Sequence, residues 1–202
     1  YGDLSKRVMN ILDGMVKKME IYSIDEAFLD LQHIQNKNQA YEFGIYCRNT
    51  IRQWVGIPVR IGIAPTKTLT KVASHVAKHT NGGMGVCCLS NQKDIAHILK
   101  TLPIREIWGI GNNLSRQLNQ MGVYSAYELM QTDIRLIRKK FSVVLERTVR
   151  ELRGESCIQI EDHADPKKQI VVSRSFRGKI ENLEVLKPCL LYTSPSPRDK
   201  RQ

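Results

Sequence analysis

Up to residue 90, apolar positions recur in two alternating rhythms, one helical and one extended. Leu4, Val8, Ile11, Leu12, Met15, Val16 and Met19 share one face, which predicts an amphipathic helix over 3–19 with Lys17 and Lys18 in its last turns. Two short β-prone runs follow, Glu20-Ile21-Tyr22-Ser23-Ile24 and Ala27-Phe28-Leu29-Asp30-Leu31, placed around Asp25-Glu26 as a hairpin or bent strand pair. A second amphipathic helix is predicted over 39–55 through Phe43, Cys47, Ile51, Trp54 and Val55, and Gly56-Ile57-Pro58 ends it. Val59-Arg60-Ile61-Gly62-Ile63 reads as a strand. Thr66 can cap a third helix carrying Leu69, Val72, Ala73, Val76 and Ala77, with Asn81-Gly82-Gly83 as its stop and Gly85-Val86-Cys87-Cys88-Leu89 as the returning strand. This order predicts an α+β layer, a sheet with helices packed on one face.

The rhythm changes in the second half. From 92 to 153 only helical patterns occur, broken at Pro103, at Gly109-Ile110-Gly111, at Gly122 and before Asp133, and they end at Gly154. Residues 155–169, with Glu161-Asp162-His163-Ala164-Asp165-Pro166-Lys167-Lys168, are polar and read as a linker. Ile170-Val171-Val172-Ser173-Arg174-Ser175-Phe176 reads as a strand opening a further unit. Residues 189–202, with Pro195 and Pro197 and no apolar period, read as a non-native tail that is disordered and dispensable. The chain opens Tyr1-Gly2-Asp3 without methionine inside a helical pattern, so a piece of a longer protein is expected.

Composition narrows the class. In 202 residues, 13 Gly and 7 Pro with 42% hydrophobic residues exclude collagen-like and wholly disordered chains. Apolar runs fall short of the roughly 20 residues a membrane span needs, and no signal peptide is visible. Five cysteines without C-x-x-C spacing suggest neither a disulfide framework nor a zinc ribbon, and fit a reducing, cytoplasmic setting. The formal charge of +11 is spread as excesses of 4, 1, 4 and 2 over residues 1–86, 87–102, 103–154 and 155–202. A basic balance in every segment favours a polyanionic partner, nucleic acid before membrane.

Three constellations carry candidate chemistry. In Tyr22-Ser23-Ile24-Asp25-Glu26-Ala27-Phe28-Leu29-Asp30, two adjacent carboxylates sit among apolar β residues. They are a solvated turn, or oxygen ligands for a magnesium ion if the strand bends, since neighbours on a regular strand face opposite ways. In Gly62-Ile63-Ala64-Pro65-Thr66-Lys67-Thr68-Leu69-Thr70-Lys71, a strand enters a capped helix beside Lys67, and Lys67, Lys71 and Lys78 share a helical face. That face is an anion site or a solvated stripe. His75 and His79 stand four apart, but no third zinc ligand accompanies them. In Trp108-Gly109-Ile110-Gly111, a tight turn between two short helices aims amides outward and lets a phosphate approach, as in a helix-hairpin-helix, unless it is an ordinary helix-helix turn.

In this order and spacing the three constellations resemble the palm motif, the following palm strand and helix, and the thumb hairpin of a Y-family translesion DNA polymerase. Phe141-Ser142-Val143-Val144-Leu145-Glu146-Arg147-Thr148, Leu152-Arg153-Gly154 and Lys168-Gln169-Ile170-Val171-Val172-Ser173-Arg174-Ser175-Phe176 resemble its UmuC subgroup. The likeness covers residues 1 to about 188. It implies part of a right-handed polymerase: palm over 1–90, an all-helical thumb with the helix-hairpin-helix over 91–154, a linker over 155–169 and the start of a little finger over 170–188. It further implies error-prone, template-directed nucleotidyl transfer past damaged bases in DNA repair and the SOS response. Asp25 would bridge two magnesium ions, Glu26 would ligate the one that activates the primer hydroxyl, and Lys78 would touch the incoming triphosphate. Gly109, Ile110 and Gly111 would hold duplex backbone, with Lys67 and Lys71 as further DNA contacts. Implied partners are primer-template DNA, deoxynucleoside triphosphates, and UmuD-type and RecA-type proteins. The family's first palm strand with its own metal-binding Asp, its fingers and its steric gate are expected upstream of Tyr1, leaving this piece inactive by itself. The competing expectation is a non-catalytic, sequence-independent DNA-binding protein built on the helix-hairpin-helix.

Overall fold

The computed structural model describes residues 1–34, 36–79, 85–161, 175–176 and 178–193. Helix α1 (Gly2–Asp13) leads to strands β1 (Met19–Ile21) and β2 (Ala27–Leu29), then α2 (Lys37–Val55), β3 (Ile61–Ile63), α3 (Lys67–His79) and β4 (Val86–Cys88). Helix α1 stops six residues before the predicted end. Gly14 caps it through bonds to the Asn10 and Leu12 carbonyls, after which Met15 packs its sulfur 3.5 Å from the Cys47 thiol and Met19 enters β1. Helix α2 agrees with its prediction, because Asn36 caps it at Asn38 N and Gly56, at φ 81, ends it in the left-handed conformation.

The single predicted sheet is replaced by two ladders among the described residues. Strands β1 and β2 pair antiparallel, with Glu20 opposite Phe28, and β3 pairs parallel with β4, with Gly62 opposite Cys87. Each strand has only three residues, and β2 and β3 share no ladder, so each keeps an open edge. Both edges line one cleft of about 1460 Å³, walled by Val8, Met9 and Leu12 of α1 and Phe43, Cys47 and Ile51 of α2. Helix α3 lies directly on β3. A Cβ at Gly62 would stand 2.3 Å from the Thr70 carbonyl oxygen, so only glycine fits there.

Helices α4 (Gln92–Thr101), α5 (Asn112–Gln120), α6 (Ala126–Gln131), α7 (Ile134–Lys140) and α8 (Val143–Leu152) make up the predicted helical half, with one 3₁₀ turn at Ile104–Glu106. The predicted boundary at 90 is not a break in packing. Leu69, Val72 and Ala73 of α3 share a buried cluster with Leu99, Leu118, Leu129, Ile137, Leu145 and Leu152. A smaller cluster joins α1 and α2 to the strands.

Glu151, wholly buried on α8, fastens this junction. Its carboxylate accepts from Thr68 N at 2.8 Å, Cys157 N at 2.9 Å and Ile158 N at 3.0 Å, while its carbonyl accepts from the Thr66 hydroxyl at 2.9 Å. Residues 155–161, the start of the predicted linker, are therefore held down, with Glu161 N also bonded to the Glu20 carboxylate at 2.7 Å. Residues 165–202 form a second compact unit. In it α9 (Leu183–Thr193) contains Pro188 and runs past the predicted tail boundary at 189. The predicted strand 170–176, except for 175 and 176, and the tail from 194 lie outside the described residues, as does the stop at Asn81-Gly82-Gly83. No described helix is long and apolar enough to cross a membrane.

Candidate functional site

The hairpin between β1 and β2 turns through residues 22–26. Tyr22 N and Ser23 N both donate to the Glu26 carbonyl at 3.0 Å, which bends the chain just where two acids follow each other. Asp25 and Glu26 are exposed there. The Ser23 hydroxyl donates to Asp25 Oδ1 at 2.6 Å, and Lys71 Nζ stands 2.7 Å from Glu26 Oε1. Asp30, the third acid of the motif, points to other work and accepts from Gln32 N at 2.9 Å.

The lysine stripe divides. Lys67 is 7% exposed and its ammonium is committed to Glu20 at 2.5 Å, with the Phe28 ring 4.9 Å away. The stripe pattern put Lys67 on an anion site or a solvated stripe; the structure spends it on a largely buried pair, because β1 presents Glu20 to the first turn of α3. Lys71 is mostly covered and lies within 4.7 to 5.6 Å of the Tyr22, Phe28 and Trp108 rings. Lys78 is exposed near the end of α3. His75 faces Glu106 at 4.0 Å, and the His79 side chain lies outside the described residues.

The glycine turn is preceded by the 3₁₀ turn at Ile104–Glu106 rather than by a full helix, because Pro103 and the Leu102 cap break the chain just before it. Ile110 is 5% exposed and anchors the turn in the core. Gly109, at φ 84, adopts a conformation that side chains resist, and Gly111 caps α5 without a side chain of its own. Nothing approaches within 4 Å of either missing Cβ. Helix α5 thus starts beside two glycines with open space at both Cβ positions and no side-chain cap on its first turn, and the unpaired amides of a helix start attract an anion.

Trp108 joins the two sites. Its indole N–H donates to the Tyr22 hydroxyl at 3.2 Å, and its ring centroid lies 5.5 Å from Tyr22 and 5.9 Å from Phe28. Sequence patterning missed this cluster and also Glu20 and Glu151, since each partner is distant along the chain. The available signal was three aromatics within or beside motifs already singled out.

As to metal, no group of three or more potential ligands occurs among the described residues. Adjacent exposed carboxylates are hard oxygen donors, and magnesium is often held by one or two carboxylates together with substrate phosphates. Asp25 and Glu26 fit such a partial set.

Comparison with known proteins gives a consistent picture. The impB/mucB/samB family matches residues 1–75, and the IMS family HHH motif matches residues 93–123. Protein UmuC of Salmonella typhimurium is 44% identical over 188 residues, covering 93% of this chain and 44% of that protein. A DinB family error prone DNA polymerase from Sulfolobus solfataricus superimposes with a TM-score of 0.66 at 26% identity, over 80% of this chain and 48% of that one. The insertion ternary complex of Dbh DNA polymerase superimposes equally well, at 0.66 and 26%, over 80% of this chain and 46% of that one. The chain spans less than half the length of these relatives.

Proposed function

The chain belongs to the impB/mucB/samB family, that of UmuC-type Y-family polymerases, and on that premise we propose that it forms the catalytic hairpin and DNA-gripping part of an error-prone translesion DNA polymerase. The observation that carries this reading is the junction of two exposed carboxylates on a bent turn with a glycine hairpin that leads into a helix start lacking a side-chain cap, with nothing within 4 Å of either glycine's Cβ position. The first is suited to phosphoryl chemistry, the second to phosphate backbone.

In the proposed reaction the primer 3′-hydroxyl attacks the α-phosphorus of a deoxynucleoside triphosphate. A P–O bond forms, the α-phosphorus to bridging-oxygen bond breaks, pyrophosphate departs and the hydroxyl proton leaves to solvent. Two magnesium ions, held by Asp25 and Glu26, would supply charge stabilisation to the attacking and leaving oxygens. The turn fixes where the two carboxylates stand, and Lys71 balances Glu26. Lys78 is assigned to the triphosphate, and Gly109, Ile110 and Gly111 to the duplex backbone. Lys71, occupied by Glu26 and three rings, acts on DNA only through them. A further carboxylate is assigned to a strand lying in the cleft between the open edges of β2 and β3. In this reading residues 1–90 are palm, 91–154 thumb and 170–188 the start of a little finger, acting in the cytoplasm with UmuD-type and RecA-type partners.

Binding of the chain to primer-template DNA tests the grip. Amides and cations carry no base readout, so affinity is expected to be equal across sequences. It should fall with salt by about −0.9 in log–log slope for each phosphate neutralised. A flat salt response, or strong preference for one sequence, would contradict the proposal.

A further inference from the structure

We propose that Trp108 is a positioning residue that, through Tyr22 and Lys71, holds the turn carrying Asp25 and Glu26 to the Gly109-Ile110-Gly111 hairpin; the use made of this link rests on the polymerase reading. Residues 22 and 108 lie far apart in sequence and meet only through side chains. Trp108 stands immediately before Gly109, so its ring moves with the hairpin. Its N–H donates to the Tyr22 hydroxyl, and the Tyr22 ring meets the Trp108 ring nearly edge-on, at 84°. Tyr22 also meets Phe28 edge-on at 5.8 Å, and Phe28 is 6% exposed, so the cluster is rooted in the core at one end.

Tyr22 begins the turn, and its own amide donates to the Glu26 carbonyl. Lys71 completes the path. It lies over all three rings and its ammonium binds the Glu26 carboxylate at 2.7 Å. Edge-to-face rings and an ammonium over ring faces are directional contacts, so they fix orientation as well as distance. A residue that merely filled space would be buried, whereas Tyr22 is 45% exposed and Trp108 partly so. Movement of the hairpin is therefore transmitted to the turn, and seating a phosphate backbone on the hairpin steadies the carboxylates.

Residue-resolved hydrogen exchange on the whole chain tests this. Without DNA, Trp108→Ala should accelerate exchange of the Tyr22 and Ser23 amides about tenfold while leaving Ser115 N, bonded to the Gly111 carbonyl, unchanged. Duplex DNA should slow exchange at 22–23 in the parent chain and not in Trp108→Ala, although both bind. Unchanged rates at 22–23 in the DNA-free variant would overturn the inference. So would DNA protection that persists in the variant, since it would mean direct contact with the turn. Should Ser115 also lose protection, Trp108→Phe, which keeps a ring and loses the N–H, decides by the same two readings. A parent chain that fails to bind DNA counts against the polymerase reading, while the DNA-free comparison still decides the role of Trp108.

Discussion

At Gly62 the backbone of β3 and the backbone of α3 touch, with the positions of a missing Cβ and of Thr70 O and Ser74 N only 2.3 and 2.4 Å apart. Backbone cannot yield as a flexible side chain does. Gly62→Ala is expected to cost about 3 kcal/mol, measured by urea unfolding, as α3 is pushed off the strand. Glu151 is the opposite kind of residue, a buried acceptor satisfied by three amides. Glu151→Ala strands those donors and should cost about 3 kcal/mol or more in the same experiment. At this scale the sequence misled in a definable way. Lys67 had the spacing of a solvated stripe, but its partner Glu20 lies 47 positions earlier, and no periodicity reports a pair so distant. Asp25 and Glu26 were legible because their chemistry is adjacent along the chain, whereas the Trp108 to Tyr22 bond spans 86 positions and was not.

Helices were legible by their apolar period, and their ends only in part. Gly56 ends α2 where the sequence reading stopped it, while the Asn36 cap on α2 and the Ser125–Glu128 capping box on α6, with Ser125 accepting from Glu128 N and Glu128 bonded back to Ser125 N, are end signals that the reading passed over. Helix α1 ends six residues before its predicted end because Met15 and Met19 keep a helical period for reasons of packing after the helix has stopped. The four strands and the β1–β2 hairpin were legible in the alternation of apolar residues around Asp25-Glu26, at 59–63 and at 85–89, but their division into two ladders was not, since three-residue strands choose partners by contacts that local patterns do not encode. The α6 cap makes a pH prediction. Bonds from Tyr124 N and then Ser125 N hold the Glu128 carboxyl below the usual carboxylate range. A depressed folded-state pKa adds stability above the unfolded value, and that stability is lost as pH falls through the folded one. Glu128→Gln should therefore lower Tm at neutral pH, and the gap from the parent should close on acidification. A gap independent of pH would remove the charge from the explanation.

Within residues 1–164, the continuous core joining α3 to the helical half sets the carboxylate turn and the glycine hairpin on shared supports. The two ladders, each with an open edge on the same cleft, leave the carboxylate turn next to a place for one more strand. The central claim is that Asp25 and Glu26 act in nucleotide addition and not merely in turning the chain. The most direct measurement is magnesium-dependent primer extension by a chimera. It joins this chain to the N-terminal segment of the UmuC relative that is 44% identical to it, with Asp25→Asn and Glu26→Gln variants compared at equal DNA occupancy. A carboxylate that stabilises charge at the reacting centre contributes to the transition state and not to duplex affinity. Each variant should therefore bind primer-template DNA like the parent chimera and extend it at least a hundredfold more slowly, a loss of about 2.7 kcal/mol in transition-state stabilisation. Extension at the parent rate by both variants would contradict the claim and leave the pair as a turn.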